Sequence, residues 1–362
     1  MRRLCRALAA LLIPAASLVV ALIAVAGLVL TIGEDPGRAL LALLRGALGD
    51  LEGIGYTLFY ATDYVFAGLA VALPFQAGLF NIGGEGQAAL GGLGATLVVL
   101  ALGDMPAPLV LAVAVVAAAG FDAAWAFVPA VLQARRGSHL VITTIMFNFI
   151  ATALTTWPLV KVLIAPGQSA LETRIFPSPL WLPTLANITA GTRFEAGEAP
   201  LNAIAFLALL AAAIYWTLLR RTPLGYEIRA AGLNALAAQA AGIRVPWIIL
   251  LAVCSGGAFA GLIAINELFG AQHRLTADRS RFCRDRGRNA WPRSSTRGRP
   301  CRGALNQGGA ALSFDMPAIT RDVVTVAEGV VIFVCGMLDG VARGDIGQSL
   351  RTLWTAPARQ AA

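Results

Sequence analysis

Eight stretches of this chain are each apolar over about twenty residues, at 8–32, 53–73, 84–103, 108–131, 140–164, 201–219, 246–269 and 320–338. A helix rises about 1.5 Å per residue, so stretches of about 17 to 25 residues cross the roughly 30 Å of hydrocarbon in a bilayer. Inside lipid every backbone N–H and C=O must be satisfied within the chain, which leaves the helix as the form such stretches take. Hydrophobic residues make up 57% of the 362 residues and charged residues 13%. That balance excludes an ordinary soluble domain. The sequence predicts an all-α, polytopic transmembrane helical bundle of about eight spans, with 1–362 as a single transmembrane domain. The first stretch follows Arg2, Arg3 and Arg6. It is too long for the apolar core of a signal peptide and reads as a retained first span.

Arginine placement gives an orientation. Arg2, Arg3 and Arg6 precede the first span, Arg135 and Arg136 follow the fourth, and Arg220 and Arg221 follow the sixth. All fall on one side, which the positive-inside rule makes the cytoplasm. The amino terminus is then cytoplasmic, and the Pro- and Gly-containing connection 165–200 is an external loop. Segment 220–243 is the longest cytoplasmic excursion between these spans, with many small residues and few charges. It reads either as an amphipathic helix lying at the interface or as a docking helix for a cytoplasmic partner, its small residues allowing close packing.

Polar groups within apolar surroundings are the candidate functional residues. Between the second and third spans, glycines surround Asn81, Glu85 and Gln87. Non-helical backbone at membrane depth is tolerated where it lines a cavity or is buried in protein, and an ionisable residue there is read first as functional. The alternative is a cytoplasmic turn with a solvated Glu85. Asp63, Asp122 and Asn148 also lie inside apolar runs, each suited either to a polar pathway or to a hydrogen bond between helices. His139 and His273 flank spans without Cys or carboxylate neighbours at ligand spacing and read as interfacial, not metal-binding. Cys5, Cys254, Cys283, Cys301 and Cys335 show no paired spacing. The chain's one lysine is Lys161, so it contains no Gly-rich loop ending in Gly-Lys-Ser/Thr that would bind ATP. It is read as a transport subunit without an ATPase site or cofactor of its own.

Four motifs carry a resemblance: LFNIGGEGQ at 79–87, ITTIMFN at 142–148, AGLNALAAQAAGI at 231–243 and GALNQGG at 303–309. Together they resemble the branched ABC-permease family, especially its nucleoside-uptake members. The resemblance implies a permease subunit in the inner (plasma) membrane that works with a cytoplasmic ABC ATPase, a second permease subunit and an external solute-binding lipoprotein. It further implies alternating access driven by ATP binding on the partner. A solute route is expected near Asn81, Glu85, Gln87, Asn148, Asn306 and Gln307, and ATPase coupling at Gly232, Leu233, Asn234, Ala238 and Gly242. Simple-sugar permeases belong to a neighbouring branch. From the residues alone, a gradient-driven secondary transporter using Glu85, Asp63 or Asp122 is the reading from a different class.

One segment departs from that resemblance. Residues 277–302 hold nine Arg and two Asp, +7 of the chain's net +8, where family members carry a Gly-rich apolar stretch ending in a motif like R-x-H-P-L-G-V. Reading Arg281 to Asn289 with the codon boundary moved by one nucleotide permits Gly-Phe-Val-Gly-Ile-Ala-Val-Ala, and Trp291 followed by Pro292 then forces Gly. The missing family motif returns in order. The segment therefore reads as a frame-shifted stretch between two compensating indels, whose restoration gives about ten spans. A basic loop on anionic lipid or a nucleic-acid arm are the competing readings, and nucleic acid is not an expected partner.

Overall fold

The computed structural model describes residues 19–20, 22–164, 171–189 and 197–276, together with Val323, Val326, Ala327 and Val330. The eighth expected span, segment 277–302, Asn306 and Gln307 lie outside the described residues or almost wholly so. Two compact units are present, one of residues 1–54 and 300–362 and the other of 55–299.

In the first unit, helix α1 (Leu22–Ile32) is the described part of the first expected span. It stops at Gly33, whose φ of +89° is open to glycine at little cost. Helix α2 (Pro36–Leu48) follows, started by the Asp35 carboxylate accepting from the Gly37 N–H at 2.8 Å with Pro36 in the first turn. Val29 and Ala39 are buried there against Val25, Ala42, Leu43 and Val323. Apolar length did not predict α2, which is too short to cross a bilayer.

The second unit holds α3 (Leu51–Gln76), α4 (Gly84–Leu102), α5 (Ala107–Arg136), α6 (Leu140–Pro158), α7 (Leu185–Thr189), α8 (Ile204–Arg221), α9 (Pro223–Leu233), α10 (Ala235–Ala240) and α11 (Val245–Glu267). Six helices, α3, α4, α5, α6, α8 and α11 with their short extensions, are long and apolar enough to cross a membrane. They match the second to seventh expected spans. No strand is formed among the described residues, only isolated bridges. The chain is an all-α, polytopic helical bundle.

Short turns make successive spans antiparallel. Gly137, at φ +66°, ends α5 in the left-handed conformation, and its N–H bonds back to Gln133 and Leu132. One end of this unit therefore carries Arg135, Arg136, Arg220 and Arg221, with α9 and α10 beyond it. At the opposite end, residues 171–189 are tied to the end of α11. Thr173 N–H bonds Leu275 O at 3.0 Å, Phe176 N–H bonds His273 O at 2.8 Å and Leu182 N–H bonds Phe269 O at 3.0 Å. Trp181 stacks on His273 with ring centroids 4.1 Å apart, and Arg274 pairs with Glu172 at 2.7 Å. His273 thus sits in a packed connection.

Small residues bring the central helices together. Lipid tails are as apolar as leucine, so packing between spans depends on close backbone approach. A Cβ on Gly91 of α4 would stand 2.8 Å from the Gly261 Cα of α11, and one on Gly257 would stand 2.8 Å from the Asp122 carbonyl oxygen of α5. Ala95, Ala118, Ala208 and Ile265 are buried in this core with Phe176 and Leu180 from the loop. Pro74 cannot donate to the Ala70 carbonyl, and α11 passes that freed carbonyl with a glycine: a Cβ at Gly256 would lie 2.6 Å from the Ala70 oxygen.

Candidate functional site

At the arginine-bearing end, α3 does not run directly into α4. Gly78, at φ +75°, turns the chain, with Leu79 N–H bonded to Pro74 O at 3.0 Å. Residues 79–83 are then non-helical, and their backbone groups need partners. Helix α6 supplies them. Thr144 Oγ1 accepts from Ile82 N–H at 3.3 Å, and Asn148 Nδ2 donates to Ile82 O at 2.9 Å. Asn148 Oδ1 also accepts from Gly86 N–H at 3.0 Å, so a residue of α6 caps the first turn of α4. Asn81 Oδ1 accepts from Gly83 N–H at 2.9 Å, and Asn81 Nδ2 donates to Gln87 Oε1 at 3.2 Å.

Asn81, Gln87 and Thr144 are buried, and Asn148 is half-buried. The three amide side chains singled out in the sequence thus form one hydrogen-bonded unit with Thr144. Glu85 lies in the same first turn of α4 but is exposed, where its carboxylate faces the positive end of the helix dipole. The tight fit is set by Gly86, where a Cβ would stand 2.8 Å from the Asn148 Cα. Asn148→Ala removes partners from two backbone groups, at about 1–3 kcal/mol each. A clear fall in thermal midpoint is the expected result, and an unchanged midpoint counts against this reading of the turn.

Segment 220–243 folds as two short helices. Thr222 starts α9, its hydroxyl accepting from Gly225 N–H at 3.1 Å and donating to Leu218 O at 2.6 Å. Gly225 and Gly232 are seven residues apart, two turns on one face of α9. Gly225 leaves room for the end of α8, and Gly232 lies on the backbone of Gln76, Ala77 and Gly78 where α3 ends. Between them the Arg229 guanidinium donates to the Leu219 carbonyl, and Ile228 is fully buried. Helix α9 is therefore a strut across the ends of two spans, and its Gly232 end meets the turn that leads to Asn81.

The outward face is different in kind. Tyr226, Leu233 and Leu236 are 63%, 89% and 77% exposed. Asn234 separates the two short helices and caps α10, accepting from Ala237 N–H at 3.1 Å. Gly242, at φ +86°, closes α10, while Ala238 is buried beneath it. Of the five expected coupling residues, Gly232 and Ala238 therefore pack inward, and Leu233, Asn234 and Gly242 face out.

A second polar cluster lies toward the opposite end and was not expected as a unit. Asn266 of α11 donates to Asp63 Oδ1 of α3 at 2.9 Å, and Asn202 donates to Asn266 Oδ1 at 3.1 Å. Asn202 Oδ1 also accepts from Ile204 N–H at 2.9 Å, capping the start of α8. Asp63 was picked out in the sequence. Asn202 and Asn266 carry the signal that marked Asn148, an amide bordering or inside an apolar run.

Asp122 stands apart from both clusters. Halfway along α5 it is fully buried; the Gly91 backbone of α4 is its polar neighbour, but neither carboxyl oxygen has a partner in good hydrogen-bond geometry. Its Oδ2 lies 2.9 and 2.8 Å from where a Cβ would stand on Gly91 and Gly261. Neither α4 nor α11 brings a cation to it: their ionisable residues are Glu85, Cys254 and Glu267. An unsatisfied buried acceptor costs about 1–3 kcal/mol. Asp122→Ala is therefore expected to raise the thermal midpoint of the purified protein. A lowered midpoint would overturn this account of the site. Among the described residues no group of three His, Cys, Asp or Glu is placed to hold a metal ion.

The family described as "Branched-chain amino acid transport system / permease component" matches residues 53–277. The chain is 36% identical over 260 residues to the guanosine ABC transporter permease protein NupP of Bacillus subtilis, covering 72% of each chain. It is 33% identical to the glucose ABC transporter permease protein TsgB13 of Haloferax volcanii, over 72% of this chain and 68% of that one. The nucleoside ABC transporter permease protein NupB of Lactococcus lactis is 31% identical, over 72% of this chain and 71% of its own. No solved structure matches.

Proposed function

Because this chain belongs to the family of permease components of the branched-chain amino acid transport system type, we propose that it is the membrane-spanning subunit of an ATP-binding-cassette importer for nucleosides. The single observation that carries the coupling part of this reading is the tip formed by α9 and α10. Its inner face is locked to the ends of α3 and α8 by close glycine contacts, while Leu233 and Leu236 stand out from it 89% and 77% exposed. Burying each leucine against a partner is worth about 1.5–3 kcal/mol, and exposed apolar side chains on a rigid support suit a docking site. The positive-inside rule puts this end in the cytoplasm, where an ABC ATPase subunit would meet Leu233, Asn234 and Gly242. Motion received there passes through Gly232 to the end of α3. The other partners are a second permease subunit in the same plasma membrane and an external solute-binding lipoprotein.

The solute route in this proposal runs beside Asn81, Glu85, Gln87 and Asn148, with Asn306 and Gln307. Asn81 and Gln87 have amide atoms engaged with each other and with the turn. They reach a solute only when the contact of α4 with α6 loosens, which makes their hydrogen bonds exchangeable between protein and a polar solute.

Two of the three relatives described above are named for guanosine or nucleosides. One is named for glucose, and a simple sugar is the second reading. The test is uptake by the assembled transporter in proteoliposomes with ATP held constant. Labelled guanosine should enter, unlabelled uridine should compete, and glucose and leucine should not. A protonophore should leave the rate unchanged. Competition by glucose alone transfers the assignment to sugars, and collapse with the protonophore rejects ATP-driven import.

A further inference from the structure

A cavity of about 360 Å³ opens where the ends of α3, α8 and α9 meet, lined by Gln76, Tyr215, Trp216, Leu219, Arg220 and Arg229. Its volume is that of a small-molecule site. Two of its six lining residues are arginines and none is a carboxylate. Arg221 adds a third positive charge beside it, with its guanidinium 5.6 Å from the centre of the Trp216 ring. Helix α8 has no acidic residue, and on α9 the one acid is Glu227. The exposed carbonyl end of a helix is ordinarily a poor place for an anion. Here the Arg229 guanidinium already engages the Leu219 carbonyl, and Arg220 and Arg221 outweigh what remains.

The depth of the cavity narrows the choice of anion. Arg220 is in the last turn of a span, and Trp216, 54% exposed, is one turn nearer the middle of the bundle. A cationic side chain with an indole one turn inward is the arrangement that anchors spans at the headgroup level. Leu219 and the Trp216 ring give the lining an apolar part, as an acyl or glycerol portion requires. Arg220 and Arg229 in the same lining suit a phosphate, with the planar fork of arginine matched to its oxygens.

We propose that this cavity binds the phosphodiester headgroup of an anionic phospholipid, and that the lipid bridges Arg220 of α8 to Arg229 of α9. The bridge spans the elbow that sets the angle of the strut. A bound lipid therefore holds α9 in position against α3, and bilayer composition tunes how firmly the tip is held. The site is separate from the solute route, and its test does not depend on which solute is carried.

Native mass spectrometry of the intact, detergent-purified permease tests it, with phosphatidylglycerol, phosphatidylcholine and inorganic phosphate as probes. Phosphatidylglycerol should be retained in preference to phosphatidylcholine. Arg220→Gln should lower its retention about fivefold, the effect of one basic side chain at an anionic surface. Arg135→Gln, at the same end but outside the cavity, should not. Arg229→Gln also loses the bond to Leu219, so the exposed Arg220 is the variant that decides. Equal retention of the two lipids, or equal loss with Arg135→Gln and Arg220→Gln, overturns the proposal. Inorganic phosphate that binds on its own and displaces phosphatidylglycerol would make this a soluble-anion site, which also overturns it.

Discussion

Gly232→Val is expected to abolish solute uptake while the protein still inserts in the membrane. A Cβ at this position would overlap the Gln76 carbonyl oxygen and would stand 2.9 Å from the Ala77 carbonyl carbon and the Gly78 nitrogen. These are backbone atoms, which cannot rotate aside as a side chain can. Gly78 holds φ at +75° in the turn that ends α3, so that side of the contact is also fixed. Helix α9 must lift, with its Gly225 end and the Arg229 bond to Leu219 as the remaining hinge. Overpacking of this kind costs about 1–3 kcal/mol, which favours a displaced tip by about fivefold or more. The displaced tip no longer bears on the turn that leads to Asn81, so ATP hydrolysis and solute movement lose their connection. In proteoliposomes with the partner ATPase, hydrolysis should continue without stimulation by the binding protein while uptake falls at least about fivefold. Leu233→Ala is the contrasting variant, because it trims the outward face and leaves α9 seated. It should weaken ATPase association. Uptake by Gly232→Val equal to that of the unaltered protein would remove α9 as the coupling element.

The same contact shows what a sequence reveals and what it withholds. Apolar length located six of the spans because membrane crossing depends on a local property, about twenty residues with few charges. It was blind to α2, thirteen residues long, though Asp35 before Pro36 is a readable start signal. The interrupted turn at 78–83 was legible from its glycines and its polar residues. That Asn148 ties it down was not, because Asn148 and Gly86 are sixty-two residues apart. The small residues of 220–243 suggested close packing against another subunit. In the structure, Gly225 and Gly232 pack against this chain's own spans, and larger apolar residues face outward. Small size signals close approach but carries no direction. The Asp63, Asn266 and Asn202 cluster was hidden for the same reason, since its hydrogen bonds join residues 203 and 64 positions apart.

Moving the codon boundary across codons 277–302 to the reading that returns the family motif is expected to raise both membrane insertion and solute uptake. The match to the permease family covers residues 53–277 and stops where the arginine-rich run begins. That run holds nine arginines within 277–302. At roughly 2.5–3.5 kcal/mol each on insertion scales, nine would cost about 20–30 kcal/mol at the centre of a bilayer, while twenty apolar residues at about −0.3 to −0.6 each return at most about 12. That balance opposes membrane insertion of the run as written. Moving the codon boundary permits a Gly-rich, apolar sequence over the same 26 residues, which lipid accepts as it does not accept the arginines. The spans before residue 277 are unaffected in direction, and the change falls on the part of the permease that follows α11. Expressed side by side with the same ATPase and binding protein, the restored gene should yield more inserted protein and uptake at least about tenfold above the chain as written. Equal uptake from the two genes would mean that residues 277–302 are a genuine basic loop compatible with transport, and sequencing the genomic DNA across these codons would then find no indels to repair.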